Sequence, residues 1–422
     1  SRMQWQSSKD NVLRGYDFTY DGLNRLEESI YGEGADMSQS KNHYSENVLS
    51  YSPNGSIERL QRYGKKNNGT FGLIDDLTYS YNGNQIKAIS DKAGSLLYNG
   101  SFDFKDGANA DVEYFYDANG ALVKDLNKGI SNIEYDVLGN LKCITFSNGF
   151  KTKYIYDAAG NKLRTTHESA VTNTIDYISN FVFEDGKLSK YLFDGGYCSF
   201  DNNQNPTFHY YEKDHLASVR MVVNENGTIE QVSHYYPFGG VYGDLSYNGE
   251  YQKSKYIGKE FDHMHGLDWY DHGARMYDAA KVAWDRVDSQ YNEYYPYSPY
   301  IYSMNNPINA LDTDGRKVYV FARNLIENKY LNVNVIHTFV VVKTSSGKTY
   351  RFAYGPQDSG FWPMVSGHSP LVRCDYYDDE SAVFSYFEKK QKTDGLKKVM
   401  EVNTPTGMTS DEFDKAVINA AS

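Results

Sequence analysis

The sequence predicts a mainly β protein: a long antiparallel sheet of repeated hairpins that curves, a compact closing module, and a small α+β domain at the end. Three observations predict it. Tyr is very abundant, at 40 residues against 21 Phe and 4 Trp, and it comes with 35 Gly. Tyr suits a half-buried pleated surface, with its ring packed and its hydroxyl wet or hydrogen-bonded, while Gly with Asn and Asp marks tight turns. Second, a Tyr-Asp turn unit recurs along the first half. Third, the composition changes abruptly after Gly315, where the dense Tyr/Asp/Gly pattern of Tyr256–Gly315 stops.

The repeat begins at Tyr20-Asp21-Gly22-Leu23-Asn24-Arg25-Leu26. Degenerate copies are Tyr51-Ser52-Pro53-Asn54-Gly55-Ser56-Ile57 and Tyr81-Asn82-Gly83-Asn84-Gln85-Ile86. Closer copies start at Tyr116-Asp117, Tyr135-Asp136 and Tyr156-Asp157, about twenty residues apart, a spacing typical of stacked repeats. An alternating strand such as Lys153-Tyr154-Ile155-Tyr156 ends at Asp157, whose side chain starts a turn. Gly160 and Asn161 are expected to supply the positive-φ positions, and Leu163 opens the return strand. Each hairpin buries one face and cannot do so alone, so neighbours stack edge to edge. One continuous sheet over residues 10–310 is expected, curled to limit its free edges. The Tyr rings serve the scaffold.

After Gly315, Lys317–Arg323, Val333–Lys343 and Thr349–Tyr354 read as strands, with a turn at Ser345-Ser346-Gly347-Lys348. Ser381–Lys392 carries a helical apolar spacing. Asp411–Ala421 reads as a helix capped by Thr409 or Ser410.

The net charge of −12 and the lack of a Lys/Arg run argue against nucleic-acid binding by the repeat body. A small, locally basic nuclease in the tail stays open. No apolar run approaches the ~18 residues of a membrane span, and the polar start lacks a signal-peptide core. The chain starts without Met inside a repeat pattern and is expected to be part of something longer. Cys143, Cys198 and Cys374 are too scattered for a disulfide framework or a zinc site. No cofactor is expected.

These features resemble the Rhs/YD-repeat family of bacterial polymorphic toxins. Asp214-His215-Leu216-Ala217-Ser218-Val219-Arg220 is similar to the family's DHLGSVR box, with Ala217 in place of Gly. Tyr236-Pro237-Phe238-Gly239 is similar to its Y-x-P-F-G box. Gly258-Lys259-Glu260-Phe261-Asp262, Gly266-Leu267-Asp268-Trp269-Tyr270-Asp271, Ala274-Arg275-Met276-Tyr277-Asp278, Tyr300-Ile301-Tyr302 and Asn305-Asn306-Pro307-Ile308 resemble its core module. The resemblance covers roughly residues 10–315. It implies a spiralling β-shell segment (1–200), a core plug (201–315), and part of a C-terminal toxin domain (316–422) enclosed by the shell. It implies a secreted protein or one delivered into a competitor cell, with a secretion apparatus and an immunity protein as partners. The other reading is a non-catalytic secreted or surface YD-repeat protein for adhesion or carbohydrate binding.

The first candidate chemistry lies at Asp288, Asp312 and Asp314. The family often ends its core with two D-P-x-G-like motifs and cleaves itself just beyond them. Paired aspartates sharing a proton provide one acid and one base. Here Ser289 stands where Pro is expected, Thr313 replaces the other Pro, and Arg316 follows Gly315, so an uncleaved chain is expected. The second is His337, in a strand followed by a hairpin, which resembles the permuted papain-like group. That implies a general base and a Cys nucleophile at a later helix start, beyond Ser422. Cys374, with acidic neighbours that raise a thiol pKa, does not fit. Gly355–Gly360 with His368 lacks a nucleophile-elbow spacing and reads as loop. His263, His265 and His272 fall in structural boxes, and no metal is expected there.

Overall fold

The computed structural model describes residues 1–94, 96, 102–242, 252–294, 296–316, 318–320, 323–327, 334–343, 349–354 and 372–377, with backbone alone beyond residue 318. Two units form. The first is Ser1–Ile308 with Asp312–Lys317, and the second is Asn309–Leu311 with Val318–Ser422.

The first unit is antiparallel β throughout. Strands β1–β7, from Arg2–Gln6 to Gln85–Asp91, form a seven-stranded sheet in sequence order. Strands β8–β20, from Tyr114–Tyr116 to Ile229–Val232, form a thirteen-stranded one, also in sequence order. It runs without a break across residues 200–201. The closing module has a two-stranded ribbon (β21, His234–Tyr235; β22, Val241–Tyr242) and a four-stranded sheet. That sheet comprises β23 (Glu260–Asp262), β24 (Trp269–Asp271), β25 (Met276–Asp278) and β26 (Ala283–Trp284). Among the described residues helix is confined to short 3-10 turns, and no helix is long and apolar enough to cross a membrane.

The sheet is therefore not continuous. Glu113 and Asp106 interrupt it. The Ile89 amide donates to Glu113 Oε2 at 2.9 Å, and the Asp91 amide to Asp106 Oδ2 at 3.0 Å. Side-chain carboxylates take donors that a neighbouring strand would otherwise use, so the ladder stops at β7.

The repeats share one turn chemistry. Asp157 Oδ1 accepts from the amides of Ala159 and Asn161. Asp117 does the same to Asn119 and Ala121, and Asp136 to Leu138 and Asn140. The amide of Gly160 returns to the Asp157 carbonyl at 3.1 Å, with φ +85°. Asn24 and Ala217 take the equivalent left-handed position at φ 64° and 63°. Asn161 does not share it, because the turn needs one such residue. Each Tyr marks a register slip against the returning strand, as at Ile155/Tyr156 and Glu134/Tyr135.

The Tyr hydroxyls stitch copies together. Tyr51 donates to the Leu26 carbonyl at 2.5 Å, Tyr81 to Ile57 at 2.6 Å and Tyr135 to Leu122 at 2.8 Å. In each case the acceptor is the seventh residue of the preceding copy. That residue is apolar and buried in Leu26, Ile57, Leu122 and Leu141, and in the Tyr81 copy, one residue shorter, Ile86 at the sixth position is likewise buried. In the Tyr156 copy the register places Lys162 there, not Leu163, which is exposed. The Lys162 ammonium pairs with Glu260 at 2.8 Å and Asp271 at 2.7 Å.

The closing module is tied to the first sheet by a buried guanidinium. Arg62 pairs with Glu46 at 2.7 Å and Asp75 at 2.9 Å, and donates to the carbonyls of Ala279 and Ala280 at 3.0 Å. Glu46 Oε2 in turn accepts the Phe238 amide.

The second unit has a ribbon of β27 (Ala310–Asp312, of which Asp312 belongs to the first unit) with β28 (Val318–Val320). It also has a sheet of β29 (Arg323–Glu327), β30 (Asn334–Lys343), β31 (Thr349–Tyr354) and β32 (Val372–Tyr377). The expected turn at 345–348, both expected helices, and Gly355–Gly360 with His368 lie outside the described residues.

Candidate functional site

Three chain segments of the first unit converge around Arg275. The β24–β25 turn carries Arg275 and His272. The segment after β26 carries Asp288, and the end of β27 leads through Asp312 and Asp314 into Gly315. Arg275 is buried, with its guanidinium 4.2 Å from the Trp284 ring centroid. A guanidinium over an indole face gains cation–π attraction, which helps hold the fork in place.

That fork organises the junction. Its Nε donates to the Gly315 carbonyl at 2.5 Å, and its Nη1 to Pro299 O at 3.2 Å. Nη2 stands 2.7 Å from Asp288 Oδ2 and 3.4 Å from Asp312 Oδ2. The carboxylates are thus joined through a guanidinium, whereas the sequence expectation was a directly shared proton. Asp312 Oδ1 accepts the Gly315 amide at 2.7 Å and the Asp314 amide at 3.3 Å. Asp314 Oδ1 accepts the Arg316 amide at 3.0 Å. Gly315 is required here: its φ is +74°, and a Cβ would sit 2.9 Å from the Arg275 nitrogen. Both peptide groups flanking Gly315 are therefore held by the aspartates and the arginine.

The electrostatics follow from burial. Asp312 is fully buried, and desolvation pushes its carboxyl up to about 6 despite the opposing pull of Arg275, with Asp314 adding to the rise. Asp288 is raised for the same first reason. Burial lowers Arg275 against the two carboxylates. His272 is held well below its ordinary value by burial and nearby Lys259, so it is neutral. Its Nδ1 donates to the Asp312 carbonyl at 3.0 Å, which fixes the tautomer, and its ring packs edge-on against Trp284.

The structure brings Asp288, Asp312 and Asp314 together and adds Arg275 and His272, which sequence reasoning left among structural boxes. The signal is the Arg itself: it opens the apolar, buried stretch Met276-Tyr277, where a buried guanidinium needs an anion. The three histidines of the core boxes have different surroundings. His265 packs on Phe146 and Phe150, His263 on Phe261, and His272 on Trp284. Among the described residues no cluster of His, Cys, Asp or Glu could hold a metal ion. The backbone of His337 lies in β30, opposite Arg323, and Cys374 lies in β32, opposite Phe352. Cys143 and Cys198 are buried free thiols.

Stacked Tyr-Asp hairpins closed by an aromatic module that ends in a buried carboxylate junction define a YD-repeat shell protein. The family model of the Teneurin YD-shell matches residues 7–309, and the chain belongs to that family. Salivary gland surface protein 1 of Aedes aegypti is 27% identical over 303 residues, covering 64% of this chain and 8% of that protein. The crystal structure of TcdB2-TccC3-Cdc42 shares the fold with a TM-score of 0.50 and 17% identity, over 75% of this chain and 18% of that one. The Tc holotoxin pore of Photorhabdus luminescens, carrying a TccC3 variant, gives a TM-score of 0.43 at 17% identity, over 79% of this chain and 19% of that one. The chain thus spans less than a tenth of the mosquito protein and less than a fifth of these toxin chains.

Proposed function

We propose that this chain is the shell-closing part of a toxin-type YD-shell protein, and that the junction after Gly315 is built for self-cleavage that frees the C-terminal segment as cargo. The observation that carries the reading is the grip on one peptide group. Arg275 Nε meets the Gly315 carbonyl at 2.5 Å, while the same guanidinium holds Asp288 and Asp312. A donor on that oxygen stabilises the negative charge that develops when water adds to the carbonyl carbon. Asp312, with its pKa near 6, is poised to take the proton from water, and Asp288 is the partner acid. The new C–O bond forms, the Gly315–Arg316 C–N bond breaks, and the proton passes to the departing Arg316 amine. The fold neighbour TcdB2-TccC3-Cdc42, which contains Tc toxin components, supports the toxin class.

Intact mass under denaturing conditions tests this. Two fragments meeting at Gly315 are expected, merging into one chain in Asp312→Asn and in Arg275→Gln. A single intact chain in the unsubstituted protein sinks the cleavage reading and restores the expectation set by Ser289, Thr313 and Arg316.

For the cargo we propose residues 316–422, with His337 as its general base in a papain-like hydrolase, delivered to a competitor cell and matched by an immunity protein. Expressed in a target cell as part of the full-length protein, it is expected to harm, and His337→Ala to remove the harm. Killing that persists in His337→Ala ends the papain-like assignment. The mosquito relative's name favours a second reading, a surface YD-shell protein without toxic cargo. Absence of harm from the full-length protein supports that one.

A further inference from the structure

Three side chains on one face of the thirteen-stranded sheet form a relay that neither the hairpin stacking nor the junction uses. Ser199 lies in β17 (Gly196–Phe200), His209 in β18 (Pro206–Lys213) and Glu230 in β20. The Ser199 hydroxyl is 2.8 Å from His209 Nε2, and His209 Nδ1 is 2.5 Å from Glu230 Oε2. The two bonds use opposite ring nitrogens. With Nδ1–H donated to the carboxylate, the Nε2 lone pair faces the hydroxyl and accepts its proton.

Regular pairing alone does not create this arrangement. Ser199 pairs with Thr207 and Tyr197 with His209, so serine and imidazole meet on the diagonal. Between β19 (Val219–Asn224) and β20 the register slips. Val222 opposes Gln231 and Val223 opposes Ile229, which leaves Glu230 as the extra residue of a bulge. Bulges re-aim side chains, and this one turns the carboxylate onto the imidazole. Asn224 Nδ2 holds the other carboxylate oxygen at 3.2 Å. The Tyr197 ring stacks on His209 with centroids 4.3 Å and planes 7° apart. The imidazole is thus fixed in orientation and buried, while Ser199 stays half-buried. Lys190 is the register partner of Ser199, so a cationic side chain shares its face.

We propose that Ser199 is a nucleophile toward small activated carboxylic esters and related phosphonyl electrophiles, with His209 as its base and Glu230 as the positioning residue. His209 Nε2 takes the hydroxyl proton as the Oγ–acyl bond forms. The ester C–O bond breaks, and the leaving alkoxide departs with that proton. Water, deprotonated by His209, then releases the carboxylic acid and restores Ser199.

The test uses the purified full chain, a fluorophosphonate probe with peptide mapping, and p-nitrophenyl acetate hydrolysis. Covalent label is expected on Ser199. Ser199→Ala, which removes one oxygen atom, is expected to lose that label and return ester hydrolysis to background, with its melting transition kept. His209→Gln is expected to slow labelling by about 100-fold or more. Glu230→Gln is expected to label slowly with an altered pH profile. Label on Ser199 no faster than on the exposed Ser147, or unchanged labelling in folded His209→Gln, overturns the proposal.

Discussion

The Tyr-Asp pair occurs in two regions of this molecule and does different work in each. In the hairpin copies, Asp157 and its equivalents bond within their own turn: to backbone amides two and four residues ahead, and to the side chain of the fourth residue, Asn161 for Asp157 and Arg25 for Asp21. In the closing module, Asp278 of Tyr277-Asp278 is fully surrounded. It accepts Trp269 Nε1 at 2.9 Å and faces Lys128 at 3.5 Å and Lys281 at 3.7 Å. Asp271 of Tyr270-Asp271 pairs with Lys162 of a distant hairpin at 2.7 Å. The repeat Asp closes a local turn that needs little from outside it. The module Asp joins segments more than a hundred residues apart. One dipeptide thus builds an element in the sheets and assembles elements in the module.

If this contrast is right, removing one partner of a long-range buried ion cluster has the largest effect. Arg62→Met leaves Glu46 and Asp75 as unpaired buried carboxylates and is expected to cost about 3–5 kcal/mol in denaturant unfolding. A loss below about 1 kcal/mol would mean that the cluster is as replaceable as a surface pair.

Truncating a packed Tyr ring comes next. Tyr116→Ala or Tyr156→Ala is expected to cost roughly 3 kcal/mol, while Tyr135→Phe, which loses the hydroxyl's bond to the Leu122 carbonyl and its longer one to Asp285, is expected to cost about 1 kcal/mol. Equal losses in the two kinds of variant would assign the stacking to the hydroxyl rather than to the ring.

The third effect depends on pH. His234 in the module is buried against Arg14 and Arg220, and burial pulls its pKa from 6.5 down to about 3. Trp5 Nε1 donates to its Nδ1 at 3.2 Å. A depressed histidine contributes stability that is full above pH 6.5 and is lost as pH falls toward 3. By pH 5 the loss is about 2 kcal/mol, and His234→Gln is expected to remove that part of the slope. Asp312, raised to about 6, acts in the opposite sense: its contribution is present below pH 4 and fades as pH rises through 6. A melting temperature that is flat from pH 7 to 5 would count against the His234 assignment.

The smallest effect belongs to a single repeat turn. Asp157→Ala is expected to cost about 1 kcal/mol, because the backbone bonds of the turn remain. A cost matching that of Arg62→Met would erase the distinction between local and long-range aspartates.

The sequence alone determined what is local. Tyr, Asp and Gly at fixed spacing specify a strand end, a side-chain cap and one left-handed residue, and these set each hairpin without distant help. Asp288, Asp312 and Asp314 came to notice through the resemblance of the core boxes to the Rhs/YD-repeat family, since they stand where that family carries its D-P-x-G-like motifs. Only the tertiary structure decided the rest. The sheet stops at β7 because Glu113 and Asp106 capture amides from a strand some twenty residues earlier in the chain. Lys162 takes an apolar slot because Glu260 and Asp271, far along the chain, supply its anions. Arg275 becomes the centre of the junction because three separate segments leave their carbonyls and carboxylates within reach of one guanidinium. The Ser199–His209–Glu230 relay depends on a one-residue bulge. Such partners are selected by three-dimensional proximity and by the cost of burying an unpaired charge, and neither is written in the spacing of residues along the chain.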